Sequence, residues 1–238
     1  MDTGHVKQVA SFEKLLGFCN AQGAMFNPSK EALQPAALSA LLTSAQQSIE
    51  AARTARIVWQ QTLNVRNEAF EGLPKFLSRM VNVLAASGAS RSTLNDAYAI
   101  VRKFRWSVAK RPQPPTAEGS EGIKPARTIS QLDFDSKIEN FEAMVKLVSL
   151  EPGYHPNEAN LQGGALTAKA VELRALNTNV VNAFVALSNA RASRNKLLYN
   201  DLGIHGTALA ARRYVRGAFG SQSAAYGQIR SIQFVNSK

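Results

Sequence analysis

The chain has 238 residues, 45% of them hydrophobic and 19% charged, so it is long enough for one or two globular domains and lacks the composition of a disordered protein. One cysteine excludes an internal disulfide framework, and no export signal or bilayer-spanning apolar stretch is visible, so we expect a soluble, cytoplasmic protein. The net charge of +11 favours non-specific association with acidic partners.

Apolar residues at helical spacing predict four helices in the first half of the chain. The first runs from about His5 to Asn20, and the second is a long helix of about 36 residues that begins near Pro35. From Leu38 to Phe70 its apolar positions alternate steps of four and three residues, the spacing of a heptad seam. Two shorter helices follow, over Leu73–Leu84 and Leu94–Val101.

A second series of helices follows a segment rich in proline and glycine, residues 107–127. It opens with a helix carrying Ile138 to Val148 and continues with a long helix whose seam runs from Leu166 to Leu198. Apolar residues from Leu209 to Ile232 predict its final helices. Without a strand-rich region, the predicted fold class is all-α with near-antiparallel bundle packing.

Self-similarity at a fixed offset indicates that the chain is a tandem duplication. Residues 26–71 align without gaps on residues 154–199, which superimposes Pro28 on Pro156, and the same alignment places Arg66-Asn67 on Arg194-Asn195. We therefore predict a helical repeat over residues 1–106, a linker over 107–127 and a second repeat over 128–238. Whether the repeats form one bundle or two stays open.

No local motif of a cofactor, metal or catalytic site is present, so we predict a non-catalytic protein without a cofactor. The three histidines, His5, His155 and His205, lack the spacing of metal ligands. Glu139 and Glu142 are three residues apart on one helix, which is more typical of a solvated face than of an acid-base pair. Cys19 lies among apolar residues and is expected in the core.

Positive charge is concentrated at the end of each repeat. Residues 1–71 and 128–201 have net charges of zero and −1, whereas residues 72–127 and 202–238 have net charges of +7 and +5. These basic segments are candidate polyanion-binding surfaces, because clustered Lys and Arg release counterions from phosphates. Their candidate residues are Lys75, Arg79, Arg91, Arg102, Lys103, Arg105, Lys110, Arg111, Arg212, Arg213, Arg216 and Arg230.

Aromatic side chains are interleaved with these cations and, if exposed, would stack on unpaired bases. They are Phe104, Trp106, Tyr214, Phe219, Tyr226 and Phe234. The alternative interpretation is structural, because the same aromatics fall at core spacing and basic residues near helix C-termini complement the helix dipole. An acidic membrane surface would attract the same cations, but no helix has the broad apolar face of an interfacial helix.

The repeated pairs Arg66-Asn67 and Arg194-Asn195 lie late on the two long helices, on or beside the seam. We interpret them as structural, with each arginine stem packed and its head bonded to a carbonyl or carboxylate. An Asn-Pro or Pro-Asn turn, Leu-Gln, an Ala- and Leu-rich helix and a terminal Arg-Asn thus occur twice. This pattern resembles a family of uncharacterised bacterial all-helical duplicated proteins, a resemblance that implies no activity, ligand or site residue.

Two functions from different classes fit the sequence. The slightly favoured one is a structural or interaction protein that self-associates or docks a protein partner. The other is a non-specific binder of nucleic acid or another polyanion through the basic segments. No recognised DNA- or RNA-binding motif supports sequence-specific reading.

Overall fold

A computed structural model describes the backbone of residues 3–105 and 128–235 and the side chains of residues 4–104 and 134–235. Within these ranges the chain is helical without any strand, which confirms the predicted all-α class. The α-helices are α1 (Thr3–Ala21), α2 (Pro35–Glu71), α3 (Leu73–Ala86), α4 (Arg91–Arg105), α5 (Thr128–Ser149), α6 (Gly163–Tyr199), α7 (Ile204–Phe219) and α8 (Ala224–Arg230).

Local sequence accounts for several helix boundaries. Helix α2 starts at Pro35, whose fixed φ suits a first turn and whose missing N–H has no partner to lose there. Helix α7 ends before Gly220, which has φ +90°, a conformation that glycine adopts without a Cβ clash. Ser223 caps α8, because its hydroxyl accepts a hydrogen bond from the backbone N–H of Tyr226 at 3.1 Å.

The described residues form two compact units whose boundaries differ from those of the predicted repeats. The first unit, called unit 1 below, contains residues 3–59 and 183–235; unit 2 contains residues 60–105 and 128–182. Each unit therefore takes the beginning of one predicted repeat and the end of the other, and α2 and α6 contribute to both. The predicted linker, residues 107–127, lies outside the described residues.

The core of unit 1 combines α1, the first part of α2, the end of α6, α7 and α8. Helix α1 packs against both α7 and α8. The core residues before Trp59 are Val9, Phe12, Leu15, Leu16, Cys19, Phe26, Leu33, Leu38, Ala45 and Ile49, and those after Ala183 are Leu198, Ile204, Ala208, Ala211, Val215 and Ile229.

The core of unit 2 combines the end of α2, α3, α4, α5 and the first part of α6. Helix α4 packs against α3 and α5. Its buried residues are Phe70, Leu73, Leu77, Met80, Val81, Leu84, Ala97, Val101, Phe104, Ile138, Phe141, Met144, Val145, Val148, Tyr154, Leu161, Leu166, Ala170 and Leu173.

The predicted seam of α2 is buried near both ends, from Leu38, but its middle position Arg56 is exposed. The seam of α6 is buried from Leu166 to Leu198 except at Phe184, which is half-buried, and Arg191, which is exposed. Within unit 1, Trp59 and Phe184 meet edge to face with ring centroids 5.8 Å apart. An aromatic pair thus supplies part of the packing where the aliphatic seam is interrupted.

Candidate functional site

The basic segment of unit 1 places three cations in solvent. Arg213 and Arg216 lie on α7 and Arg230 ends α8, and all three side chains are exposed. Among the described residues, no carboxylate lies within 4 Å of any of them. Arg216 does lie near an aromatic ring, with its guanidinium carbon 6.0 Å from the ring centre of Tyr226. These three guanidinium groups keep their positive charge uncompensated at short range.

Arg212 belongs to the same run of sequence but has a different environment. Its side chain is half-buried, its Nη2 donates a hydrogen bond to the carbonyl of Ile232, and its guanidinium lies 5.7 Å from the ring centre of Phe234. Its Nε is buried without an acceptor in the described chain. Gln8 holds the same terminal segment through two hydrogen bonds with the backbone of Val235, at 3.0 and 3.2 Å. Arg212 therefore anchors residues 231–235.

The aromatic residues interleaved with these arginines pack against the core of unit 1. Tyr214 meets Phe26 edge to face with centroids 5.3 Å apart, and Phe219, Tyr226 and Phe234 are partly buried against the same core. Their rings are largely occupied by protein contacts, which leaves little free face for stacking on a base. The structural interpretation of these aromatics fits their positions.

The basic segment of unit 2 also contains exposed cations without a carboxylate within 4 Å in the described chain. They are Lys75 and Arg79 on α3, and Arg91, Arg102 and Lys103 on α4. Phe104 is 4% exposed and belongs to the core. Arg105 ends α4, but its side chain lies outside the described residues, as do Trp106, Lys110 and Arg111 entirely.

Some other basic residues have acidic partners. Arg53 bonds Glu50 at 2.8 Å, Lys169 bonds Glu172 at 3.1 Å, and Arg174 bonds Glu142 through both carboxylate oxygens at 2.7 and 2.8 Å. The hydrogen bond to Glu142 raises the pKa of Arg174. The Glu142 carboxylate, predicted to face solvent, is thus half of an ion pair that joins α5 to α6.

Arg66 is buried in unit 2 and stacks on an aromatic ring. Its guanidinium carbon lies 3.7 Å from the ring centre of Phe134, and its Nη1 donates to Asn177 Oδ1 at 3.0 Å. Asn177 in turn donates to Asp135 Oδ1 at 2.6 Å. Burial lowers the pKa of Arg66, while attraction to Asp135 opposes that shift. The Nε atom is buried without an acceptor in the described part of the chain.

Arg194, which the sequence alignment pairs with Arg66, lies in unit 1 and is 6% exposed. Its Nε and Nη2 donate to Oδ1 of the adjacent Asn195 at 3.3 and 3.1 Å. The two arginines superimposed by the sequence alignment are thus both buried, and each donates to an asparagine: Arg66 to Asn177 on another helix and Arg194 to the adjacent Asn195. Their burial favours the structural interpretation, because neither guanidinium is presented to solvent.

The three histidines and the cysteine lie in different surroundings. His5 Nδ1 lies 2.7 Å from the hydroxyl of Tyr199, while His155 is exposed and His205 half-buried. The described residues contain no group of three or more His, Cys, Asp and Glu side chains able to hold a metal ion. Cys19 lies in the core as expected, and burial raises the pKa of its thiol to about 11.

A shallow groove of about 420 Å³ lies between α4 and α5 in unit 2. Its wall contains Asp96, Lys146 and Glu151, together with Leu150, which is 74% exposed. The charges have mixed sign, and the wall contains neither histidine nor cysteine. Neither sign of charge dominates the groove, so it does not extend the candidate polyanion-binding surface.

The sequence interpretation missed one exposed aromatic residue beside the basic residues of α4. Tyr98 is 50% exposed and lies between Arg91 and Arg102 in the sequence. The helical spacing would have identified it: the core residues Ala97, Val101 and Phe104 define the buried side of α4, and Tyr98 lies outside that side.

No helix among the described residues is long and apolar enough to cross a membrane. No protein-family model matches the chain, and neither the curated proteins nor the solved structures contain a match. The resemblance to duplicated bacterial helical proteins remains a prediction.

Proposed function

We propose that the protein binds polyanions without sequence specificity, through exposed cations on α7 and α8 and a second set on α3 and α4. The observation that carries this proposal is the uncompensated charge of Arg213, Arg216 and Arg230. Arg53 and Arg174, by contrast, have carboxylate partners. An unpaired surface cation gains from a phosphate without first losing an ion pair, and it releases counterions when it binds.

The charge of unit 1 supports the same proposal. Residues 1–59 contain five basic and four acidic residues and residues 183–238 contain eight basic and one acidic, so the two segments together have a net charge of +8. The sequence from 202 onward has no acidic residue. A phosphate approaching α7 and α8 therefore meets no carboxylate from those helices, which favours association at low salt.

The test is the salt dependence of binding to duplex DNA of mixed sequence. Neutralising Arg213, Arg216 and Arg230 to Gln should reduce the slope of log K against log salt by about 2 to 3, since each phosphate contact contributes about 0.9. Arg212 stays unchanged, because its loss would release the terminal segment. The matched control neutralises Lys7, Lys14 and Lys30, which are exposed in the same unit, and should change the slope much less.

Absence of binding by the unmodified protein at low salt would remove the proposal. An equal change of slope in both triple variants would show that net charge matters and that the α7–α8 surface does not. Circular dichroism of each variant checks that the helices are retained.

A second candidate is a structural or interaction protein that self-associates. It is supported by adjacent aliphatic side chains on α2, Ile57 and Val58, which are 49% and 44% exposed, and by Leu202, which is 83% exposed. Sedimentation equilibrium of the full chain should show concentration-dependent dimers that Ile57→Ser with Val58→Ser weakens. A monomer at every concentration would exclude self-association and leave docking to another protein.

We also propose that the chain arose by duplication, that it acts by binding without catalysis, and that it is cytoplasmic. Helices α2 and α6 both have 37 residues and begin 128 positions apart, and the 3₁₀ turns before them, Glu31–Leu33 and Ala159–Leu161, have the same offset. Equal lengths at one offset support duplication. The absence of catalytic motifs from the sequence supports a binding role, and the single reduced cysteine agrees with the cytoplasm.

A further inference from the structure

A row of four polar and aromatic residues runs along one side of α4. Arg91, Asn95, Tyr98 and Arg102 are separated by four, three and four residues, so they lie on one side of the helix. All four side chains are exposed, whereas Ala97, Val101 and Phe104 bury a different side. At 1.5 Å per residue the row is about 16 Å long.

The electrostatic environment of this row favours an anion. Neither Arg91 nor Arg102 has a carboxylate within 4 Å in the described chain. Asp96 is the acidic residue of α4, and it lines the groove beside α5 with Lys146 and Glu151. The negative charge of this helix is therefore directed away from the row.

Tyr98 differs from the aromatic residues of α7 and α8 because no aromatic or cation contact occupies its ring in the described chain, and half of its surface is open. Arg102 follows it by one helical turn, so the two side chains are neighbours on the helix surface. A half-exposed ring beside a cation provides two groups that single-stranded nucleic acids engage, a stacking face and a phosphate partner. A base paired inside a duplex does not offer its face to such a ring.

We propose that the Arg91–Asn95–Tyr98–Arg102 row of α4 is a binding site for single-stranded nucleic acid, with Tyr98 stacking on an unpaired base and the arginines contacting the flanking phosphates. This inference rests on the proposed polyanion-binding function and adds a preference for single strands to it. Asn95 lies one turn before Tyr98 and provides an amide for hydrogen bonds to the base or sugar.

Fluorescence anisotropy with labelled oligo(dT), oligo(U) and a DNA duplex of equal length tests the inference on the full chain, with heparin as a polyanion that lacks bases. Tyr98→Ala should weaken binding of the single strands by about fivefold to a hundredfold, the range expected for one stacked base. It should leave duplex and heparin binding within about twofold, because those ligands are held by charge. Tyr98→Phe should bind like the unmodified protein, since it keeps the ring.

The matched control is Val171→Ala, which removes an exposed apolar side chain of the same unit, 65% exposed, and should change nothing. Comparison of oligo(dT) with oligo(U) identifies which nucleic acid the site prefers, and a loss of binding of either one on Tyr98→Ala, with duplex and heparin binding retained, supports the inference. If Tyr98→Ala leaves single-strand binding unchanged, or weakens all ligands equally, the inference is wrong while polyanion binding stands. If no ligand binds at low salt, both are wrong.

Discussion

Gly206 on α7 allows a sharp test of how tightly the turn between α6 and α7 packs. A Cβ added at Gly206 would lie 2.0 Å from the carbonyl oxygen of Asp201 and 2.5 Å from its carbon. Both are backbone atoms of that turn, so no side-chain rotation relieves the overlap. The variant Gly206→Ala should therefore force the turn away from α7.

The same substitution at Gly217 provides the control on the same helix. A Cβ there has no heavy atom within 4 Å, and the residue is exposed. Replacing glycine by alanine inside a helix stabilises it by about 0.5 to 1 kcal/mol, because alanine loses less backbone entropy on folding. Overpacking in a tight site costs about 1 to 3 kcal/mol. Gly206→Ala should therefore lower the free energy of unfolding and Gly217→Ala should raise it, with roughly 2 to 4 kcal/mol between the two variants.

Urea denaturation followed by far-UV circular dichroism measures the difference. For a slope of about 1 to 3 kcal/mol per molar urea, the midpoint of Gly206→Ala should fall by several tenths of a molar or more, while that of Gly217→Ala should rise slightly. A midpoint for Gly206→Ala at or above that of the unmodified chain would refute the proposed close packing. Since α7 carries Arg213 and Arg216, the same turn also positions the proposed binding surface.

Three further predictions concern the cores and one ion pair. Cleavage at a protease site inserted within residues 107–127 should yield two fragments that co-elute and that separate in urea. Each core contains residues from before and after the inserted site, so each core holds the two fragments together. Fragments that separate without denaturant would contradict this. The Cys19 thiol should resist modification at about pH 8 in the folded chain, and rapid labelling of the native state would contradict this. The free energy of unfolding should fall as the pH rises from the ordinary thiol pKa of 9.0 to about 11, because the folded state retains the proton that the unfolded state loses. Glu142→Gln should lower the free energy of unfolding, measured by thermal denaturation, by at most about 1 kcal/mol, since its ion pair with Arg174 is exposed to solvent. A larger loss would indicate a different role for Glu142.

Helix positions were predictable from the sequence because periodicity and stop signals are local. The long helix predicted from Pro35 ends at Glu71, and the first helix, expected over His5–Asn20, spans Thr3–Ala21. Which helices cover each seam was not predictable. The spacing of Leu38 or Leu166 shows that a side is buried but not which part of the chain buries it, and two similar seams offer similar surfaces.

The arginines show the same division between local and long-range information. The exposure of Arg213 follows from its position two residues from each of the buried residues Ala211 and Val215, which places it on the opposite side of α7. The role of Arg212 depends on the carbonyl of Ile232, twenty residues later in a segment without regular structure, and no sequence pattern marks such a backbone acceptor. Arg66 is similar, since its partner Asn177 comes from the other long helix.

The two units differ in net charge. Residues 60–182 contain fifteen basic and twelve acidic residues, a net charge of +3, against +8 for the residues of unit 1. Duplex DNA responds to charge density, so neutralising Arg213, Arg216 and Arg230 should reduce the salt slope more than neutralising Lys75, Arg79 and Lys103 in unit 2. Equal reductions would mean that duplex binding draws on both surfaces alike. Tyr98 lies in unit 2. If neutralising the unit 2 cations has the larger effect on the binding of single strands but not on the binding of duplex DNA, charge-based binding is separated from base stacking.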